Sequence, residues 1–394
     1  MRRGGVEMVW AILAPRRVLS ILGLGILLIV AACSPGERDE SVQTDRWMQE
    51  LFSERPETRL SAVLMPGTHD SGAVDIRVSE PCSDVWIEGT DVQILEAAEA
   101  EPCRAAEIAK AQNLSLGKQL RAGIRYLDLR VGTAEIGGTD RLVIHHDLVA
   151  EPLEDGLDQI LEVAATSREF FVFDFQGVAI SDPELLQRFL TLLETHVPES
   201  ASVPAGIEGL CDLAVDIGER SEEEWARTAT FGDVWEQPPR NSLVLVPGNV
   251  PFTDCTRDRT RFLASPWPDT TDPDTVRQYA EAVLEQRQAA LEGGECTERE
   301  SYECGFFVSQ LQLSPGLPAT NRVTRCVEFG IGLCSLEAAA ELVNPEAGAW
   351  LEEWCDAGLP VNIAILDYFE RSDMVGAMLD KNRDLSRDGC RVSS

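Results

Sequence analysis

Ile124-Arg125-Tyr126-Leu127-Asp128-Leu129-Arg130-Val131 reads as a β-strand that carries charge. Side chains alternate along a strand, so Asp128 and Arg130, two residues apart, fall on one face. Six other runs share its apolar, branched character: residues 60–65, 142–145, 170–175, 243–246, 306–310 and 361–366. Several are apolar throughout, as expected of strands buried on both faces. Helical patterns lie between them at 41–52, 114–122, 152–165, 183–196, 272–292, 336–347 and 372–382. The segment from 183 follows Ser181-Asp182, a capping residue with Pro183 at the first helical position. This alternation predicts an α/β protein. At this length it favours an irregular (β/α) barrel of the TIM type over an open sheet.

The N-terminus reads as a processing signal. Arg2, Arg3, Arg16 and Arg17 precede an apolar run at 18–32 that is too short for a comfortable membrane span. It ends in Val30-Ala31-Ala32-Cys33, which resembles a bacterial lipobox. Residues 1–33 are therefore expected to be a lipoprotein signal, with Cys33 the lipidated residue of an exported protein anchored to the cell membrane on its periplasmic or outer face. An ordinary signal peptide with an incidental Cys is the weaker alternative. Residues 34–45 are polar and read as a tether, leaving 46–394 for the barrel. Setting Cys33 aside leaves ten of the eleven cysteines, an even number that suggests up to five disulfides. Local spacing suggests Cys82 with Cys103, Cys296 with Cys304, and Cys326 with Cys334. A zinc site is disfavoured, because there is no CxxC pair and no histidine near these cysteines.

The net charge of −33 argues against nucleic acid and against tight adsorption to anionic lipid. Three acidic, cysteine-containing stretches, about 75–111, 211–239 and 251–302, read as insertions stapled to the barrel by disulfides. Trp86 and Trp267 within them are expected in buried satellite cores, with lipid contact the alternative.

In a parallel barrel, reactive side chains project from the C-terminal ends of strands. Those ends supply His69 and Asp70, Asp128 and Arg130, His145, His146 and Asp147, Asp174 and Gln176, and finally Asp367. One such residue means little; several ionisable groups at once are hard to attribute to chance. Histidine moves protons near neutral pH, and two histidines with an arginine between them form the set that phosphate-ester cleavage needs. His145 is expected to point away from His146 by strand alternation, and His196, at a helix C-terminus, to be structural.

These motifs together resemble the X-domain family of phosphatidylinositol-specific phospholipases C. The matching pieces are Pro66-Gly67-Thr68-His69-Asp70-Ser71, Gly117-Lys118-Gln119-Leu120 leading to the 123–130 strand, and Ile144-His145-His146, extended by Phe171–Gln176 and Val361–Tyr368. The resemblance implies an irregular TIM-type barrel. It implies His69 as general base on an inositol hydroxyl, oriented by Asp367, and His146 as general acid on the diacylglycerol oxygen, supported by Asp70. Arg130 would meet the non-bridging phosphate oxygens, and Asp128 would hold Arg130 and the acid in place. The first product would be a cyclic inositol phosphate. Arg130 stands where calcium-dependent relatives of the superfamily carry an acidic ligand, so no metal cofactor is expected, Ca²⁺ being the lesser alternative.

The chain departs from the secreted bacterial enzymes in its recognition half, where the fifth strand, ending in Pro247-Gly248-Asn249, has no Arg. Gln176, Asn249 and Gln310 are the candidates to bind sugar hydroxyls. The expected partners are a phospholipid or inositol phosphodiester and the membrane at the N-terminal anchor, with the protein a monomer. Two other readings share these features: a metal-dependent glycerophosphodiesterase-like or sphingomyelinase-D-like barrel, and a non-catalytic lipoprotein that binds a headgroup or glycan.

Overall fold

In the computed structural model, the 124–131 stretch lies at the middle of a rolled sheet. The structure describes residues 42–76, 102–198, 203–293, 304–314, 333–386 and 389–390, with side chains from 106 onward in the helix Pro102–Ala109. Ten strands appear: β1 (Met65–Thr68), β2 (Tyr126–Ile136), β3 (Thr139–His146), β4 (Leu148–Pro152), β5 (Phe171–Ala179), β6 (Ser242–Val246), β7 (Thr256–Asp258), β8 (Leu263–Ala264), β9 (Phe306–Gln310) and β10 (Ile363–Leu366). Eight of them run in the order β7-β6-β5-β2-β1-β10-β9-β8, and every pair along that path is parallel.

The two edges of this sheet, β7 and β8, are joined by a single helical turn, Arg259–Phe262. Four helical residues span about 6 Å. A flat sheet of this width would hold its edges about 34 Å apart. The sheet must therefore roll upon itself, into an irregular TIM-type (β/α) barrel. Among the described residues no ladder closes the seam between β7 and β8. β1, β6, β9 and β10 are buried along their whole length, as the apolar runs of β6 and β10 imply. Helices cross back between most strands, including Leu153–Ala164 before β5, Pro273–Gly293 before β9 and Leu336–Asp356 before β10.

Several expectations are corrected. The apolar run at 60–65 is not a strand: Leu60–Ala62 forms a 3₁₀ turn and β1 starts at Met65. Side-chain amides replace a ladder there. Asn362 donates to the carbonyls of Leu60 and Val63, and Asn382 brackets the backbone of Leu64. The strand holding His146 is not a barrel strand. β3 pairs antiparallel with β2 and β4, so the histidine rides on a hairpin laid beside the barrel. The stretches 211–239 and 251–302 are not mere insertions. They supply the helices Glu222–Thr228 and Phe231–Trp235, both edge strands, and the helix Pro273–Gly293. Their short strands lack the apolar length that marks a strand in sequence.

Trp267 is 46% exposed rather than buried in a satellite core; Trp86 lies outside the described residues. Disulfides join Cys211 to Cys255 and Cys355 to Cys390, long-range pairs that local spacing does not suggest. Cys304 and Cys334 are also disulfide-bonded. The sulfurs of Cys82, Cys103, Cys296 and Cys326, like Cys33 and residues 1–41, lie outside the described residues.

One buried ion pair fastens the first helix to the barrel floor. Arg125 and Glu169 are both solvent-free, with Nη2 2.6 Å and Nε 3.0 Å from Glu169 Oε2. Glu169 also accepts from the backbone N–H groups of Met48 and Gln49, and Arg125 donates to the carbonyls of Leu120, Ile124 and Thr44. Removing one member would strand a buried charge. Glu169→Ala is expected to cost about 3–5 kcal/mol in a denaturant-unfolding measurement; a loss below about 1 kcal/mol would contradict the assignment.

Candidate active site

β1 ends at Thr68, and His69 and Asp70 follow directly. The Pro66-Gly67-Thr68-His69-Asp70-Ser71 motif is shaped by crowding. A Cβ on Gly67 would lie 2.8 Å from Ile365 and 3.0 Å from Tyr126, so only glycine fits between β10 and β2. Thr68 Oγ1 pairs with Ser71 Oγ and donates to Gln119 Oε1, both at 2.7 Å, while Ser71 N–H donates to the Asp128 carbonyl. These contacts turn the chain sharply enough that Asp70 adopts a left-handed backbone (φ 41°). Asp147 and Tyr368, directly after His146 and Asp367, are left-handed too (φ 59° and 46°). Strained backbone collects where side chains must be aimed.

The result is a buried cluster around the Asp70 carboxylate. Its Oδ1 lies 2.6 Å from Arg130 Nε. Its Oδ2 lies 3.2 Å from His69 Nε2 and 3.0 Å from His146 Nε2. On the far side of His69, Nδ1 is 2.8 Å from Asp367 Oδ1. On the far side of His146, Nδ1 donates to the Ala109 carbonyl at 2.7 Å. A carbonyl only accepts and a carboxylate accepts, so hydrogen-bonding both ring nitrogens of His146 requires the imidazolium. His69 faces Asp367 at Nδ1 and Asp70 at Nε2, and Arg130 Nη2, 3.5 Å away, can donate to Nε2 when that nitrogen is unprotonated.

The electrostatics agree. Burial opposes a charge on His69, but Asp70 and Asp367 outweigh it and push the pKa up to about 9. Burial opposes charge on His146 as well, and Asp70 again reverses the sign, raising its pKa. Burial would protonate Asp70, yet Arg130, His146 and His69 hold it well below the usual carboxylate range. Burial, then Asp70, push Asp128 up to about 6, and burial raises Asp367.

Asp128 does not hold Arg130 by direct contact, contrary to the role the resemblance gives it. Asp70 takes the guanidinium. Asp128 Oδ2 instead faces the Asp70 N–H at 3.4 Å and acts on Arg130 through its field. His145 is buried apart from this cluster; burial, Arg130 and His146 push its pKa down to about 3, so it stays neutral. His196 caps a helix and meets Asp158 at 2.6 Å, a structural role.

The recognition candidates fare differently. Gln310 is not free to bind a sugar. Its amide donates to the Ser265 carbonyl and hydroxyl, and its carbonyl accepts from Gln312. Asn249 lies exposed in the loop after β6. Gln176 does line the mouth, accepting from Arg259 at 3.3 Å. Arg259 is the residue that sequence reading missed. It grips Asp174 with Nε at 3.0 Å and Nη2 at 2.9 Å, while Tyr126 donates to Asp174 at 2.7 Å. The arginine missing from the fifth strand is thus supplied from the seam turn. Asp258, which caps that turn, was the one local signal.

His69, Asp70 and Asp128 also offer donor atoms within 4.8 Å of one another, a set that could hold a cation. Arg130 already occupies one Asp70 oxygen, and its charge opposes a second cation there.

The folded protein holds the His69 pKa at about 9, above the ordinary histidine value of 6.5. Its stabilising contribution is complete below about pH 6.5 and disappears as pH rises through 9. Between pH 6.5 and 9.5 the wild type is therefore expected to lose more of its urea midpoint than His69→Gln does; parallel losses would refute the ion-pair cluster.

No family model matches the chain. Among curated proteins it is similar to PI-PLC X domain-containing protein 3 of Danio rerio, 23% identical over 347 residues that cover 85% of this chain and 92% of that protein. The Homo sapiens protein of the same name is 22% identical over 342 residues, with the same coverage. Over a shorter stretch the chain is 28% identical to the variant-surface-glycoprotein phospholipase C of Trypanosoma cruzi, covering 34% of this chain and 37% of that one. Among solved structures, the phosphatidylinositol-specific phospholipase C from Listeria monocytogenes gives a TM-score of 0.48 at 14% identity, covering 86% of this chain and 98% of that one. The resemblance carried by the motifs thus extends over most of the chain.

Proposed function

We propose that the protein is a phosphodiesterase of the phosphatidylinositol phospholipase C type. One observation carries this reading: His69 Nε2 and His146 Nε2 converge, with Arg130, on one carboxylate. Both nitrogens lie within 3.2 Å of the same Asp70 oxygen, so they are no more than about 6 Å apart. That separation brackets a single phosphodiester. The similarity to PI-PLC X domain-containing proteins and to a phospholipase C supports the choice of substrate.

In this reading His69 acts as base in its neutral form, with Nδ1–H on Asp367 and Nε2 accepting the proton of the inositol hydroxyl next to the phosphodiester; its raised pKa puts that form on the alkaline side of neutrality. Asp367 fixes the ring through Nδ1 and offsets the charge that the ring gains. The freed oxygen attacks phosphorus. His146 Nε2 gives its proton to the departing diacylglycerol oxygen, and the Ala109 carbonyl keeps Nδ1 protonated, so Nε2 is the nitrogen that cycles. The pull of Asp70 keeps His146 charged until the proton is needed. Arg130 has nitrogens beyond the one on Asp70 to meet the phosphate oxygens as charge builds. The product is a cyclic inositol phosphate. An anchor at Cys33 would hold the barrel close to its lipid substrate.

His69→Ala and His146→Ala are each expected to lower turnover of phosphatidylinositol by about 10²–10⁴-fold. Circular dichroism would confirm that the variants fold, and ³¹P NMR of the wild-type reaction would show the cyclic phosphate. Near wild-type activity in either variant would end the assignment.

The donor set of one imidazole and two carboxylates at His69, Asp70 and Asp128 favours one rival, a metal-dependent glycerophosphodiesterase-like site. With Arg130 standing in for the cation, turnover is expected to survive EDTA unchanged. Loss in EDTA with recovery in Ca²⁺ would favour the rival.

A further inference from the structure

A short segment with no catalytic side chain touches both halves of the cluster. It runs from Ala109, the last residue of its helix, to Gln112. The Ala109 carbonyl accepts from His146 Nδ1. The Lys110 carbonyl accepts from the Tyr368 hydroxyl at 2.7 Å, and the Ala111 carbonyl accepts from Tyr368 N–H at 2.8 Å. Gln112, fully buried, directs both amide hydrogens at backbone: one to the His69 carbonyl at 2.8 Å, the other to the Leu366 carbonyl at 2.9 Å. Its own Oε1 has no hydrogen-bond partner. A buried amide normally satisfies both ends. Here the acceptor end is left open while both donor hydrogens are used.

His69 and Leu366 sit where β1 and β10 end side by side, with His69 N–H donating to the Leu366 carbonyl at 3.1 Å. The next residue after Leu366 is Asp367. The Gln112 amide therefore joins the backbone of His69 to the backbone immediately before its carboxylate partner. The segment is itself moored, because Ala111 N–H and Gln112 N–H both donate to the Ala73 carbonyl. Tyr368, which holds the other side of Asp367, is one of the left-handed residues. It is also secured by the Asn344 amide, which donates to the Asp367 and Tyr368 carbonyls.

We propose that residues 109–112 are an alignment clamp for the two-histidine site, with Gln112 the positioning residue that sets His69 against Asp367. The clamp explains how the left-handed ends of β1 and β10 hold a fixed geometry beyond the last rung of their ladder. It also couples the two histidines, since one end of the segment carries the bond to His146 and the other the bond to His69. A displacement of about 1 Å at such a pair can cost roughly 10²-fold in rate. Gln112 reaches the site only through backbone, so it affects the chemical step and not the affinity for substrate.

This inference rests on the phosphodiesterase reading only for its kinetic arm. Gln112→Met keeps the shape and removes both donors. It is expected to lower kcat on phosphatidylinositol by about 10–100-fold with KM within twofold. The second arm needs no activity. The chain has only four histidines, so each imidazole can be followed by NMR through a pH titration. The groups that face His69 are Asp70, Asp128, Asp367 and Arg130. Loosening Asp367 is expected to lower the His69 midpoint from about 9 by a unit or more. If Gln112→Met does not fold, Tyr368→Phe tests the other side of the clamp by removing only the bond to Lys110. It is expected to lower kcat several-fold and to shift the His69 midpoint in the same direction. A wild-type His69 titration in a folded variant would overturn the clamp whatever the substrate proves to be. If the wild type does not cleave phosphatidylinositol but the midpoint still moves, the clamp stands and the functional reading falls.

Discussion

The Asp70 carboxylate is the constraint around which the site is arranged. A buried carboxylate is costly unless several groups neutralise it, and this one has three: Arg130 on one oxygen and the two histidines on the other. Each of those partners is charged or chargeable, His69 buried and Arg130 and His146 half-buried. The carboxylate is what favours the protonated form of both histidines. The cluster is therefore mutually dependent, and its members arrive from four places: the ends of β1 and β10, the face of β2, and the hairpin beside it. The left-handed backbone at Asp70 is the cost of aiming a side chain inward at a strand end where the next residue must turn away.

The barrel serves this arrangement by bringing chain-distant strand ends together. β1 lies between β2 and β10, so residues near 69, 128 and 367 become neighbours. The hairpin of β3 and β4 then folds His146 over that junction. Opposite stands a second ionic group, Arg259 on Asp174, next to Asp128 through the register of β2 with β5. The two ionic groups thus share one wall, and their fields overlap: Asp174 helps raise Asp128, and Asp128 helps raise Arg259.

Much of this was legible in the chain because the relevant signals are local. The 124–131 strand, the Gly67–Asp70 turn and the histidine pair each carry their pattern within a few residues. Strand alternation correctly separated His146 from His145. What misled was also physical. The run at 60–65 has the composition of a strand, but buried asparagine amides from residues 362 and 382 satisfy its backbone instead. β7 and β8 are too short for any periodicity to show, so Arg259 looked like part of an acidic insertion. Gln310 looked available because nothing in sequence reveals that Ser265 and Gln312 already hold its amide. The disulfides follow the same rule: Cys211–Cys255 and Cys355–Cys390 close loops of 44 and 35 residues, and spacing alone does not find such pairs.

The sequence by itself determined the class of fold and which ionisable side chains would gather at the strand ends, because hydrophobic period and motif chemistry act over short distances along the chain. Only the tertiary structure decided which carboxylate serves which cation. Asp70 rather than Asp128 takes Arg130, and Asp70 lies between the two histidines. Those choices depend on burial and on angles of approach within a few ångströms, set by strand register and by left-handed turns that no local pattern encodes.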